Sequence, residues 1–405
     1  MKTILDCWFK KKNKQKQKTI LDLPEDLVAD EIISKAPIKS LGSVRSTCKK
    51  WNTLCKNRIF LGKEAAKKQF LLRDKRTICL MNFDLSKDDG TPSVEQVSVL
   101  DQKIQIFKVF QFDGLLLCFL KDYSRLVVWN PHLGQTRWIE PRNSFHSSDM
   151  FAFGHDSSFN YKILRISTEI HPVTDQYALG IERYEFSSSS WKVLDFSPDW
   201  QSRSRQQCVS LNGNAYFLTG VRGSFLCFDF TTERFGPLLP LPPFHSYDDG
   251  LHFLSFSCVR REEEQQQLAL LYQHWNARDT IEISVTDKVG PHVVSWTKFL
   301  KVVTGSWVDP PSGSFLIDEE KKLAVVFVLE KVSECVYQTA HVFGQDGYFK
   351  SVRIREAPYL ENSSSRNKRY YPPLLCSSYL PSLLQLNQPI LMERMCNHLS
   401  FGLNR

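Results

Sequence analysis

The sequence predicts a multidomain chain. A small three-helix unit near the amino end is followed by an all-β domain, a β-propeller of about six blades. Three observations lead there. Residues 22–51 hold three helix signals and more large apolar side chains than so short a unit buries by itself. From about residue 70, short apolar runs alternate with turn signals, and no long helical stripe interrupts them until the last residues. Aromatic residues then recur at blade-like intervals. An antiparallel β-sandwich is the alternative arrangement of the same strands.

At 405 residues, 42% apolar and 24% charged, the composition is globular and suffices for a sizeable core. The net charge of +8 is unevenly placed. Residues 1–18 carry seven lysines against Asp6 and read as a basic solvated tail, which leaves the remaining body near neutral. That balance argues against a nucleic-acid partner for the body. The eleven cysteines contain no Cys-x-x-Cys, and Cys118, Cys227 and Cys258 sit in apolar runs as small hydrophobes. This usage fits a reducing compartment, so cytoplasm, nucleus or both are expected. The apolar stretch after Met1 is too short for a signal peptide and is broken by Asp6. No run is long enough for a membrane span.

The first helix is expected to start at Asp22, which can cap it, with Glu25 at capping-box spacing and Pro24 in the first turn. Acids Glu25, Asp26, Asp30 and Glu31 suit the positive end of the helix dipole. Leu27, Val28, Ile32 and Ile33 form its apolar stripe, and Pro37 ends it. Ser40 can cap the second helix, which contributes Leu41 and Val44. The third carries Val44, Cys48, Trp51, Leu54 and Cys55 at helical spacing, with Lys49, Lys50, Lys56 and Arg58 outward. Residues 60–70 read as a helical connector.

The β runs are Ile78–Phe83, Leu115–Leu120, Leu126–Trp129, Tyr161–Ile166, Ala215–Leu218, Phe225–Phe230, Leu268–Tyr272 and Leu323–Leu329. Asn212-Gly213 and Asp346-Gly347 are tight-hairpin signals. Trp138, Trp191, Phe235, Trp296 and Phe349 recur at intervals of 53, 44, 61 and 53 residues. In a propeller such a residue on the outer strand can pack against the adjoining blade. Residues 70–110 are expected to supply or complete a sixth blade.

These residues carry a family resemblance. Leu23-Pro24, Asp26-Leu27, Glu31-Ile32-Ile33, Ala36-Pro37, Lys39-Ser40-Leu41, Val44-Arg45, Cys48-Lys49 and Trp51 fall at the spacing of an F-box. Ile33 stands where Leu is common and Lys35 where Arg is common. The remainder resembles the plant F-box-associated interaction domain, whose fold is a kelch-like propeller. The match rests on Asp113–Cys118, Leu126–Pro131, Gln135–Trp138, Trp191–Leu194, Cys227–Gly236 and Phe315–Lys321, with Cys376–Leu383 as a closing segment. The resemblance implies a substrate receptor of an SCF-type (Skp–cullin–F-box) ubiquitin ligase. Leu23, Pro24, Leu27, Ile32, Ile33, Pro37, Leu41, Val44, Cys48 and Trp51 would dock on a Skp-type adaptor, and through it on a cullin scaffold. The β domain would hold a target protein. The expected divisions are a tail at 1–18, the F-box at 19–64, the β domain at 65–386 and a tail at 387–405.

Chemistry was sought beside this reading. There is no Gly-x-Ser-x-Gly elbow, phosphate loop or His-Glu-x-x-His helix. The ten histidines are scattered; His341 and His252 in β runs read as core or edge residues. Asp88-Asp89 and Asp248-Asp249 stand beside glycines and read as turns. A non-catalytic subunit without cofactor or metal is therefore expected. Two alternatives stay open: an F-box protein acting outside a ligase, and nucleic-acid binding through the basic tail with Arg366, Lys368, Arg369, Tyr370 and Tyr371.

Overall fold

The computed structural model describes residues 68–73, 78–83, 105–131, 133–170, 177–196, 208–219, 223–243, 252–260, 266–277, 279–304, 315–357, 382 and 384–386. The chain divides into two units, residues 1–66 and 67–405, and the description concerns the second. The expected tails and helical unit lie outside the described residues, and so do all ten expected docking positions from Leu23 to Trp51.

The described residues form five antiparallel blade sheets from consecutive strands, four of them four-stranded and the third five-stranded. A hairpin of β1 (Lys68–Arg73) and β2 (Ile78–Phe83) precedes them. The first blade holds β3 (Ile106–Phe112), β4 (Leu115–Leu120), β5 (Leu126–Asn130) and β6 (Gln135–Ile139). The second holds β7 (Met150–His155), β8 (Tyr161–Ile170), β9 (Tyr177–Glu185) and β10 (Ser190–Val193). The third holds β11 (Cys208–Leu211), β12 (Asn214–Leu218), β13 (Ser224–Asp229) and β14 (Arg234–Phe235), with β15 (Leu239–Pro240) paired to β13. The fourth holds β16 (His252–Arg260), β17 (Gln266–His274), β18 (Thr280–Gly290) and β19 (Val293–Val303). The fifth holds β20 (Phe315–Asp318), β21 (Leu323–Val332), β22 (Cys335–Gly344) and β23 (Phe349–Glu356).

This is a five-bladed propeller among the described residues, and it corrects the expectation of about six blades. Among the described residues the Ile78–Phe83 run, counted towards a sixth blade, pairs with β1 alone in a two-stranded sheet. The five recurring aromatics lie one on the fourth strand of each blade, so their number equals the number of blades. A sandwich is excluded: the described strands form five successive sheets, each packed on the next, where a sandwich has two sheets face to face. The expected connector at 60–70 is also corrected at its end, since β1 begins at Lys68.

Period-two alternation makes each strand serve two seams. On β4, Leu115, Leu117 and Phe119 face the second blade, whereas Leu116 and Cys118 pack on the opposite side with Trp129. The seam between blades one and two joins Phe112 and Phe119 to Phe151, Phe153, Ile163 and Phe186. The next joins Leu164 and Ile181 to Phe217, Phe228 and Phe230. Tyr216 and Phe225 meet Phe256, Leu268 and Leu270 in the third, and Ala269, Leu271 and Ile283 meet Phe315, Val326 and Phe343 in the fourth. Each such side chain, fully buried, contributes on the order of 1.5–3 kcal/mol.

Three of the five outer-strand aromatics reach back onto the preceding blade. Trp191 packs 6.1 Å from Phe145 and donates its indole N–H to the Glu140 carbonyl at 2.7 Å. Phe235 meets Phe196 at 6.0 Å. Trp296 meets Phe225 at 6.0 Å and donates to the Pro240 carbonyl at 3.0 Å. Trp138 and Phe349 behave differently: both are half-exposed, with Trp138 beneath the Arg125 guanidinium at 4.6 Å and Phe349 against Phe343 at 5.3 Å.

The predicted Asn212-Gly213 turn joins β11 to β12, with φ of 50° and 81°, the left-handed values a two-residue hairpin demands. Asp346-Gly347 forms instead a single 3₁₀ turn, Gln345–Gly347, closed by Gly344 N–H to the Tyr348 carbonyl at 2.9 Å. Gly154 is required by close approach, because a Cβ there would lie 2.3 Å from the Gly213 carbonyl oxygen.

A carboxy-terminal latch completes the first blade. The fully buried Asn130 amide donates to the carbonyls of Ser382 at 2.8 Å and Leu384 at 3.0 Å, while its oxygen accepts the Leu133 N–H. Leu386 donates to Gln135 Oε1 at 2.9 Å and buries its side chain among the phenylalanines of the first seam. Asn130→Ala leaves buried backbone acceptors without donors, so chemical denaturation should show a loss of about 2–3 kcal/mol. Truncation after residue 380 in the Asn130→Ala background should add much less than the same truncation in the wild type, since both remove one latch.

Candidate functional site

No catalytic constellation assembles among the described residues. No group of three or more His, Cys, Asp or Glu side chains there could hold a metal ion. Burial pushes the thiols of Cys227 and Cys258 up to about 12 and that of Cys208 higher still, so all three stay protonated. Cys227 is buried, and the Cys258 thiol donates to the Ser210 carbonyl at 3.3 Å. His341 is buried on β22 between Phe343 and Phe349, and neither ring nitrogen has a hydrogen-bond partner. Asp88-Asp89, Asp248-Asp249 and the cluster Arg366 to Tyr371 lie outside the described residues. Among the described residues no helix is long and apolar enough to cross a membrane.

The charged groups buried here fasten blades together. Lys162 on β8 reaches into the seam with the third blade, where its ammonium meets Asp156 at 3.1 Å and Glu233 at 2.9 Å and donates to the Phe230 carbonyl at 3.2 Å. Arg183 joins Glu233 at 2.6 Å and Glu185 at 3.2 Å. Burial works against ionisation of Asp156, but hydrogen bonds from Asn160 and the Lys162 ammonium outweigh it and hold the carboxyl below its usual range. Burial likewise opposes ionisation of Glu233, and Lys162 with Arg183 outweighs it.

On the other face of β8, Arg165 binds Asp149 through Nε at 2.9 Å, Glu182 at 3.1 Å and the Ser144 carbonyl at 2.8 Å. Its guanidinium lies over the Phe145 ring at 4.8 Å, and Arg142 adds a second cation on Glu182. Such buried pairs hold geometry more than they add stability, because desolvation consumes most of the attraction.

The surface these fastenings support is the propeller end that carries the tight turns. The turns after β3, β7 and β11 lie next to one another there. Tyr161 Oη donates to Asp113 Oδ2 at 2.9 Å, linking blades one and two. His155 N–H to the Gly213 carbonyl at 3.2 Å and Ser157 N–H to Thr231 Oγ1 at 2.9 Å link blades two and three. Asn212 N–H to Gln266 Oε1 at 3.3 Å extends the tie to the fourth. Asp156 fixes its own turn by accepting the N–H groups of Ser158 at 2.9 Å and Asn160 at 3.0 Å. Phe159 stands at the crest, 68% exposed with φ 59°, its ring 4.7 Å from that of His155. Sequence reasoning missed this cluster. Its only signal was an aromatic inside the polar run Asp156 to Asn160.

The F-box domain family matches residues 20–63, and the F-box associated beta propeller domain family matches residues 68–386. An F-box/kelch-repeat protein of Arabidopsis thaliana is 49% identical over 399 residues, covering 92% of this chain and 98% of its own length. An F-box protein of the same plant is 43% identical over 401 residues, covering 91% of this chain and 99% of its own.

The His341 environment sets a pH dependence. Burial lowers its pKa from 6.5, with Glu330 opposing only in part. Below that value the unfolded chain takes up a proton that the fold refuses, so stability falls as pH drops towards the folded pKa and then levels. The carboxyls of Asp156 and Glu233 act only at lower pH, from 3.8 and 4.5 downward. Thermal melts between about pH 7.5 and 5.5 should show this decline, and His341→Leu should flatten it.

Proposed function

The chain belongs to the family of F-box proteins that carry an F-box-associated β-propeller domain, and from that membership we propose that it is the substrate-recognition subunit of an SCF-type ubiquitin ligase. One observation carries the proposal: an F-box match at residues 20–63 and a propeller match at residues 68–386 stand in one chain. An F-box couples to a Skp-type adaptor and thereby to a cullin, while a propeller offers a rigid frame with loops for a protein target.

The physical argument for the adaptor starts from size. About forty-five residues, 19–64, with the three helix signals read from their sequence, would be too few to bury their own apolar side chains. A partner that covers Leu23, Pro24, Leu27, Ile32, Ile33, Pro37, Leu41, Val44, Cys48 and Trp51 supplies the missing burial, and a few central side chains dominate the affinity. The subunit breaks no bond itself. Its contribution is proximity: a target held near a charged conjugating enzyme presents its lysines at raised effective concentration. The reading places the protein in the cytoplasm, the nucleus or both.

Leu23→Ala combined with Trp51→Ala removes two anchors worth about 1.5–3 kcal/mol each. Adaptor affinity in a pull-down or by calorimetry should fall roughly 100-fold or more, while the propeller's thermal transition is unchanged. Retention of the adaptor at wild-type level would refute the docking assignment.

A further inference from the structure

We propose that the tight-turn end of blades one to three recognises an arginine side chain presented by a target protein, with Phe159 as the stacking face and carboxylates around it. The inference rests on the receptor reading above and adds the chemistry of what the propeller takes. Phe159 is a large aromatic side chain and is 68% exposed. Its ring is not loose. It rests on His155 at 4.7 Å, which contacts Phe112 at 5.5 Å and Tyr161 at 5.7 Å, so the aromatic column runs from the first seam to the surface. A side chain already held in place loses little entropy on binding, and pre-placed aromatics of this kind dominate protein interfaces.

Charge selects the partner. The three turns read Asp113-Gly114, Asp156-Ser157-Ser158-Phe159-Asn160 and Asn212-Gly213, with two carboxylates and no lysine or arginine. The Lys162 ammonium that balances Asp156 lies beneath the surface, its side chain only 6% exposed. The carboxyl of Asp156 is held below its usual range, so it stays ionised at neutral and mildly acidic pH. Because Asp156 already accepts from Ser158, Asn160 and Lys162 and Asp113 from Tyr161, the aromatic face attracts a planar cation chiefly by stacking, with the carboxylates adding their charge. The same charge disfavours phosphate and therefore nucleic acid. Arginine fits better than lysine, since its guanidinium is flat and weakly hydrated.

The test uses the full chain copurified with a Skp-type adaptor. A phage-displayed random-peptide library is selected on it, and a recovered peptide is resynthesised with arginine or its neutral isostere citrulline. Recovered peptides should share an arginine, citrulline should weaken binding at least about tenfold, and Phe159→Ala should weaken it as much. In Phe159→Ala the citrulline exchange should then cost little more, which shows that the two groups act as one contact. Phe159→Gly, which takes φ 59° without strain, should melt no lower than the wild type, so lost binding is not lost folding. Peptides without arginine enrichment, or equal binding by Phe159→Ala, would overturn the proposal. Adaptor copurification is scored in parallel: if the adaptor is absent the receptor reading fails, and if it is present without arginine selection only this inference fails.

Discussion

Everything in the described structure depends on blade-to-blade burial. A four-stranded sheet with apolar side chains on both faces has no stable existence in water alone. Leu115, Leu117 and Phe119 point one way from β4 and Leu116 and Cys118 the other, so both faces need cover. Consecutive blades supply it at the four seams between them. The outer strands would be the weak point, because little of their surface meets a neighbour. Trp191, Phe235 and Trp296 answer this by reaching across to the blade before, two of them with an indole N–H to a backbone carbonyl. The buried charges on β8 follow the same logic: Lys162 and Arg165, three residues apart, face opposite seams and fasten each through ion pairs.

A frame fastened in this way is suited to presentation. The turns after β3, β7 and β11 are tied across four blades, which fixes the surface groups with respect to one another. The Cys227 and Cys258 thiols are held protonated by burial, Cys118 is buried, and His341 lies between aromatic rings. Function, on the reading advanced above, comes from two attachments: one through an apolar helical unit too small to stand alone, the other through the propeller surface.

Much of the fold was legible from strand composition. All eight predicted β runs are strands, and they are mainly the inner, doubly buried ones such as Leu115–Leu120 and Leu126–Asn130, where both faces must be apolar. The outer strands were harder. β10 reads Ser-Trp-Lys-Val and β23 reads Phe-Lys-Ser-Val-Arg-Ile-Arg-Glu, half-exposed patterns that resemble loops apart from the recurring aromatic. That aromatic counted the blades correctly. The surplus blade came from weighting Ile78–Phe83 as part of a larger sheet, and nothing local in an apolar run says how many partners it finds. The Phe159 surface was hidden for a related reason: it assembles from three turns far apart in sequence, each ordinary by itself. The F-box itself was legible as a motif, and the expected docking positions from Leu23 to Trp51 lie outside the described residues.

The most direct measurement is hydrogen–deuterium exchange on the purified full chain with and without a recombinant Skp-type adaptor. Strong slowing of amides within residues 19–64, with the propeller strands unchanged, is what the account requires. Identical exchange in both samples would contradict it.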